Sequence, residues 1–333
     1  MRRLQLEGCR MMGKHRKRAL VTALGTMNCT TIVGELAKKG YYIIGADINP
    51  AKCIYTSTEV DEYYQFPKAT EDREGYYKFV RQFCLDHHVD IYLCVVDEEV
   101  ETMAIHRNEL SNIGVVLCVA NTEVVTTCHR KDLFALWAEQ NIPEYCIRRY
   151  TDYHNIVDDD FPLFIKPIEG RASIGCRTIY NREELNLIRD NWSKYIVQDF
   201  FYGDIIAADI VRCRATGLTQ ICQRKELLRN SNGCGVAVEI VNNEKVGNAC
   251  KIIAEKLDLN GIVNAEFFVK DDDARIIEVN PRIPAGVAYS CMAGLNLVEL
   301  AVEIAQGINI CTTSPIRIGT YFAKRYETFE IKK

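Results

Sequence analysis

The sequence has no apolar run near the ~20 residues that a membrane-spanning helix needs. Its longest runs, such as Ile91–Val96 and Val115–Ala120, fall far short. Close cysteine spacing is also missing. Fifteen cysteines are present, yet no C-x-x-C occurs, and the nearest pair is Cys213 and Cys222. A zinc ribbon or a disulfide framework rests on closely spaced pairs, so neither is expected. An odd number of cysteines without an export signal predicts reduced, mostly buried thiols in a cytoplasmic protein. The six histidines form no H-x-x-x-H pair. There is no G-x-G-x-x-G and no G-K-[ST], so neither a dinucleotide fingerprint nor a Walker A loop is present. The net charge of -4 gives no global pull toward nucleic acid.

What is present is the mix of a globular chain, with 48% hydrophobic and 26% charged residues in 333. At ~150 residues per domain, that length predicts about two domains. The basic charge is concentrated at the start, where residues 1–18 hold seven Lys/Arg against one Glu. This head lacks the apolar core of a signal peptide, and Met12-Gly13 is not followed by the Ser/Thr of a myristoylation site. Residues 1–17 are therefore expected to be a basic extension outside the fold, with Met12 as an alternative start.

Residues 18–125 alternate strand and helix. Predicted strands at Ala19–Leu24, Tyr42–Asp47, Ile91–Val96 and Val115–Ala120 are separated by helices at Thr30–Lys39, Asp72–His88 and Glu98–Leu110. That pattern is a doubly wound parallel sheet. The turn after the first strand, Gly25–Thr30, has one glycine, and Asp47 stands where a ribose-binding acid would sit. One acid does not make a nicotinamide site, and a scaffold or substrate-binding role is favoured. Residues 126–333 read differently. A helix near Lys131–Gln140 is followed by strands at Phe161–Pro167, Tyr195–Phe200, Ile205–Cys213, Leu218–Cys222, Ala265–Val269 and Arg275–Val279. Helices are expected at Lys245–Leu257 and Leu295–Gln306.

The chemistry gathers in two stretches. Glu266 lies on one predicted strand, and Glu278 and Asn280 lie on and just past the next, with the same facing parity. A short turn brings them together as two carboxylates and an amide oxygen, which are hard ligands suited to Mg²⁺. Arg282 follows, a fixed guanidinium able to hold phosphoryl or carboxylate oxygens. In the second stretch, Lys166 ends an apolar strand before a loop with Gly170, Ser173 and Gly175. Backbone amides and a hydroxyl beside a lysine can cover a polyphosphate. Read alone, each stretch also fits a solvated hairpin and an ordinary turn.

Together, the stretches resemble the ATP-grasp family, in the branch of the carbamoyl-phosphate synthetase large chain and the amino-acid ligases. Asn264-Ala-Glu-Phe267 and Ile277-Glu-Val-Asn-Pro-Arg282 match its metal-site signature, and Lys166 to Gly175 is similar to its K-P-x-x-G-x-x-S-x-G loop. The resemblance covers about residues 18–330. It implies an α/β fold, α+β in the C-terminal part: a Rossmann-like pre-ATP-grasp domain at 18–125 and an ATP-grasp domain at 126–333, with a lid at about 128–196. It implies ATP and Mg²⁺ (or Mn²⁺) as cofactors, with Glu266, Glu278 and Asn280 on the metal. Lys131 (or Arg130), Lys166, Gly170, Ser173, Gly175, Gln198, Asp199, Phe200 and Phe201 are implied at the nucleotide. Arg282 and Lys225 are implied in catalysis, with Arg224 and Lys225 facing one cleft.

The implied activity is ATP-dependent carboxylate–amine ligation through an acyl phosphate. Its partners are small-molecule carboxylates and amines, with no nucleic acid or membrane; the resemblance allows a homodimer and leaves the oligomeric state open. A degenerate nucleotide-binding protein with a regulatory role is the alternative. One departure bears on this: the hinge acids of the family correspond here to Asp199 and Ile205.

Overall fold

The structure is a computed structural model and describes residues 16–168, 174–231 and 233–331. Residues 1–15 of the expected basic extension, Gly170 and Ser173 lie outside the described residues, whereas Arg16 and Lys17 join the fold: Arg16 pairs with Asp61 at 3.2 Å, and Lys17 O accepts the Tyr42 N–H at 2.8 Å. Three sheets organise the chain.

The first sheet holds β1 (Arg18–Val21), β2 (Tyr42–Asp47), β3 (Glu62–Gln65), β4 (Ile91–Leu93) and β5 (Val116–Leu117). All neighbours are parallel, in the order β3-β2-β1-β4-β5. The connecting helices are α1 (Cys29–Lys38), α2 (Arg73–Asp86), α3 (Asp97–Ile105), α4 (Arg107–Asn112) and α5 (Thr122–His129). α2 begins where the Asp72 carboxylate accepts the Gly75 N–H, and it buries Tyr76, Tyr77, Val80, Phe83 and Cys84. Phe79, one position before Val80 on the same helix, is exposed. The one helix predicted over Glu98–Leu110 is two, broken at His106.

Strand order reverses between β1 and β4, so the crevice beyond their carboxyl ends is the switch point at which open α/β sheets bind ligands. The side chain of Asp47 is not free for a ribose there. Its Oδ2 accepts the Gly25 N–H at 2.8 Å, and its Oδ1 accepts the Asn49 N–H at 2.9 Å. A Cβ at Gly25 would lie 2.8 Å from Ile54 Cδ1, so a larger residue would require that side chain to shift. Beside it, Glu99 accepts hydrogen bonds from Thr22 and Tyr76, and burial pushes its carboxyl up to about 7.

The second sheet is small and antiparallel. It consists of β6 (Arg149–Tyr150), β7 (Leu163–Pro167), β8 (Arg177–Ile179) and β9 (Tyr195–Asp199), in the order β6-β9-β7-β8. α6 (Lys131–Asn141) leads into it, and α7 (Arg182–Asn186) packs within it. Leu163, Ile165, Ile179, Leu185 and Val197 form a core of its own. Lys166 and Gln198 take the opposite parity, so they occupy the other face of this sheet.

The third sheet runs β14-β13-β10-β11-β12-β15 and is antiparallel throughout. Its strands are β10 (Asp204–Arg212), β11 (Thr219–Arg229), β12 (Gly235–Val241), β13 (Gly261–Lys270), β14 (Asp273–Asn280) and β15 (Tyr321–Ala323). α8 (Glu244–Lys256) buries Val246, Cys250 and Ile253 in one core with Ile206, Ala208, Ala265 and Phe267 of the sheet. α9 (Val287–Ala293) and α10 (Leu297–Ala305) join a second core that also contains Ala19, Ile43 and Leu93 of the first sheet. The first and third sheets thus share apolar packing, whereas the second packs by itself. The fourteen described cysteines are free thiols, eight of them buried. Among the described residues no single helix is long and apolar enough to cross a membrane.

Candidate functional site

Register places the acids. Glu266 on β13 stands directly opposite Glu278 on β14, and Asn264 stands opposite Asn280. Across β10, Ala207 pairs with Glu266 on one side and with Arg224 of β11 on the other. Directly opposed residues share a face, so Glu278, Glu266, Ala207 and Arg224 form one row. Asn280, Asn264 and Asp209 form the row beside it. Ala207 leaves the space above β10 open between the acids and Arg224.

Two carboxylates this close resist ionising together. Burial first, and the Glu278 charge second, push the Glu266 carboxyl up to about 7. Arg229 offsets part of this, lying 3.0 Å from Glu266 and 2.7 Å from Glu226. The Asn280 amide nitrogen donates to Glu278 at 3.1 Å, which leaves its carbonyl oxygen for a cation. Among the described residues no group of three or more His, Cys, Asp and Glu side chains converges as a metal cage. Two acids and one amide oxygen fit a Mg²⁺ that takes its remaining ligands from phosphate and water.

The cations around the row are fixed from below or from the side. Asp209 is fully buried, forms an ion pair with Arg224 at 2.7 Å, and accepts from Ser290 at 2.6 Å and Asn264 at 2.7 Å. This network holds the Arg224 guanidinium on the site face, and the nearby Asp209 charge raises its pKa against the opposing, larger effect of burial. Arg282 Nε lies 2.6 Å from Asp97 Oδ1, at the start of α3. The Asn28 amide reaches Ile283 O at 3.2 Å. The loop after β14 is thereby tied to the switch point of the first sheet.

The second sheet brings two lysines toward the acids. Lys166 Nζ lies 3.5 Å from Ile277 O, next to Glu278, and burial lowers its pKa. Lys131, at the first turn of α6, reaches Pro167 O at 3.3 Å, whereas the Arg130 guanidinium lies on Asp132 at 2.6 Å. Lys131 thus reaches the strand that carries Lys166. Gly175 sits at φ +79°, and a Cβ there would lie 2.9 Å from Pro167 Cγ. Phe201 packs on Phe268 with ring centroids 6.2 Å apart, and Phe268 stands opposite Ile205. These three make an apolar wall at the hinge between β9 and β10. Phe200 is exposed and stacks on Tyr202.

Two expected residues are corrected by strand alternation. Lys225 pairs with Ile206, not with Ala207, so it occupies the face opposite Glu266, where its ammonium lies 2.6 Å from Asp204. Arg224 and Lys225 cannot both face one cleft. Asp199 shares the parity of Val197 and Leu163 and turns its side chain away from Lys166, accepting from Tyr150 at 2.8 Å. Asp204 is likewise occupied on the far face, and Ile205 is the hinge residue on the face of Glu266. No acid of the hinge meets a ribose on this face. We expect kcat/KM for ATP and 2′-deoxy-ATP to agree within a few-fold. Ile205→Glu should favour ATP by roughly tenfold or more, because a charged hydrogen bond contributes about 1.5–3 kcal/mol. Strong rejection of the deoxy-nucleotide by the wild type would contradict this hinge geometry.

Sequence reasoning missed Asp209, Arg229 and the contact of Asp97 with Arg282. Asp97 is 185 residues from Arg282, and no local pattern connects them.

A family model described as "ATP-grasp in the biosynthetic pathway with Ter operon" matches residues 191–321. The 3-methyl-D-ornithine–L-lysine ligase of Methanosarcina acetivorans is 24% identical over 46% of this chain and 42% of its own length. The carbamoyl phosphate synthase large chain of Corynebacterium glutamicum is 22% identical over 85% of this chain and 27% of its own. The chain thus matches less than half the length of either. Among solved structures, the biotin carboxylase domain of Hydrogenobacter thermophilus 2-oxoglutarate carboxylase, in complex with MgADP and bicarbonate, superposes with a TM-score of 0.75. It has 13% identity and covers 92% of this chain and 74% of that one. The L-amino acid ligase of Bacillus licheniformis gives a TM-score of 0.68 at 16% identity, covering 88% and 75%. The chain therefore carries the ATP-grasp fold and resembles the branch of that family with the carbamoyl phosphate synthase large chains and the amino-acid ligases.

Proposed function

We propose that this chain is an ATP-dependent carboxylate–amine ligase that works through an acyl phosphate. The observation that carries the proposal is the cross-strand row of Glu266 and Glu278, with Asn280 beside it, lying between Lys166 and Arg282. Glu266, Glu278 and Asn280 would hold Mg²⁺, which when bound neutralises phosphate charge and orients the terminal phosphoryl group. Lys166 and Lys131 would hold phosphate oxygens from the opposite side. The apolar wall of Ile205, Phe201 and Phe268 suits an adenine face, with the backbone at Gln198–Asp199 along its edge.

The substrate carboxylate attacks the γ-phosphorus of ATP. A new C–O–P bond forms, the β–γ bridging bond breaks, and ADP leaves. The amine then attacks the acyl carbon, the acyl C–O bond breaks so that phosphate departs with that oxygen, and the nitrogen loses one proton as the amide forms. Arg282, held by Asp97, would stabilise charge on the acyl-phosphate oxygens. The second sheet, with its own core, is the element suited to closing over the site and excluding water from that intermediate.

The same reading divides the chain into a basic extension at 1–17, a nucleotide-fold domain at 18–125 and an ATP-grasp domain at 126–333, with the lid at about 128–196. A homodimer is an assembly that this reading allows, and the biotin carboxylase domain of Hydrogenobacter thermophilus is itself a dimer.

The experiment is Mg²⁺-dependent ADP release with pools of carboxylates and amines. Release that needs one member of each pool supports ligation. Release that needs neither, with nothing joined, contradicts it.

A further inference from the structure

Lys324 stands out among the cations near the site. The three arginines are all paired: Arg224 with Asp209, Arg229 with Glu226 and Glu266, and Arg282 with Asp97. Lys324 has no carboxylate within ion-pair distance among the described residues. Its ammonium lies 3.1 Å from Ala285 O and 3.7 Å from Met27 Sδ, and 5.5 Å from the centre of the Tyr289 ring. An ammonium has three donors, and among the described residues only one of them meets an oxygen. Burial holds its pKa below the usual value, and the nearby Arg224 lowers it further.

Its position follows from register. Phe322 pairs with Val238, and the Lys324 N–H donates to Val236 O at 2.8 Å, so Lys324 keeps the parity of Phe322. Val238 and Ile240 share the face of Arg224 and Glu266. Lys324 is therefore on the site face, but five strands from β14. At about 4.8 Å per strand, its backbone is on the order of 20 Å from that of Glu278. Its side chain spans only a fraction of that distance, so it does not serve phosphates held at the acids. Met27 follows β1 and Asp97 follows β4, the two strands of the first sheet's switch point. The ammonium thus opens on the crevice where such sheets receive ligands.

We propose that Lys324 anchors a carboxylate of the substrate remote from the bond-forming end. The substrate class is then an α-amino acid or a dicarboxylic acid, one end at Arg282 and the other at Lys324. A lone ammonium between a thioether and a ring face matches a monoanion. A phosphate dianion would call for a guanidinium fork or a backbone nest. This inference rests on the ligase reading.

The test measures ADP release by wild type, Lys324→Met and Lys324→Arg with MgATP. The probes are α-amino acids, dicarboxylates and their matching carboxamides. Wild type should prefer the acid, and Lys324→Met should lower kcat/KM for it by roughly 10- to 100-fold, the range of one charge-assisted hydrogen bond. Acid and carboxamide should then converge, Lys324→Arg should recover most of the loss, and the KM for ATP should not follow. Lys324→Gln replaces the Met variant if that variant does not fold. Equal kcat/KM for the acid in wild type and a folded Met or Gln variant overturns the proposal. If wild type releases no ADP with any pool, the ligase reading fails, and calorimetry with succinate and L-glutamate decides the anchor separately. Binding lost in the variant supports it, and no binding to wild type overturns it.

Discussion

Glu278→Gln should abolish Mg²⁺-dependent ADP formation while the chain stays folded. The substitution keeps the shape and an oxygen that can accept from Asn280. It removes one of the two charges that face each other across β13 and β14. A bound metal supplies several kcal/mol of transition-state stabilisation. At about 1.4 kcal/mol per tenfold, its loss is worth on the order of a thousandfold in kcat. Two readouts separate the metal from the fold. Mn²⁺ binding in the presence of ATP, followed by electron paramagnetic resonance, should weaken. The thermal midpoint should stay within a few degrees of wild type. Undiminished turnover at saturating Mg²⁺ would remove Glu278 from the metal site.

Arg282→Met should lower kcat by roughly a hundred- to a thousandfold, the range seen when one preorganised donor to a developing charge is lost. Its effect should fall on kcat rather than on the KM for ATP, because the side chain belongs to the loop after β14 and not to the lid lysines. Asp97 supplies the internal control. It touches Arg282 at 2.6 Å and is placed to orient it rather than to touch substrate. Asp97→Asn keeps a hydrogen-bond acceptor, so its loss should be smaller than that of Arg282→Met. It should add little once Arg282 is already gone. Near-wild-type kcat in Arg282→Met would remove the guanidinium from the reaction.

The pairing of Glu266 with Glu278 was legible because two rules fix it: side chains alternate along a strand, and a short turn sets the register. Alternation also held the correction for Lys225 and Asp199. Neighbours on one strand point to opposite faces, so Arg224 and Lys225, or Gln198 and Asp199, could not both enter the cleft. A matched motif names positions, whereas the pleat decides which of them face the ligand. The strand β12, Gly235–Val241, is rich in β-branched residues but is not among the strands expected from the sequence. What no local pattern could give is the support beneath the site. Asp209 gathers Arg224, Asn264 and Ser290 from separate elements, and Asp97 meets Arg282 from another sheet. Lys324 is equally silent in the sequence. Only the fold places its ammonium beside Met27 and Ala285, with no acid paired to it among the described residues.

The acyl phosphate is the centre of this account, and oxygen transfer tests it most directly. The carboxylate identified by ADP release is supplied with both oxygens as ¹⁸O, and the phosphate formed with MgATP and the amine is analysed by mass spectrometry. Phosphorylation of the carboxylate followed by amine attack leaves one carboxylate oxygen on phosphorus, so each phosphate should carry one ¹⁸O. Phosphate without the label, formed at the same rate as the amide, would contradict an acyl-phosphate route.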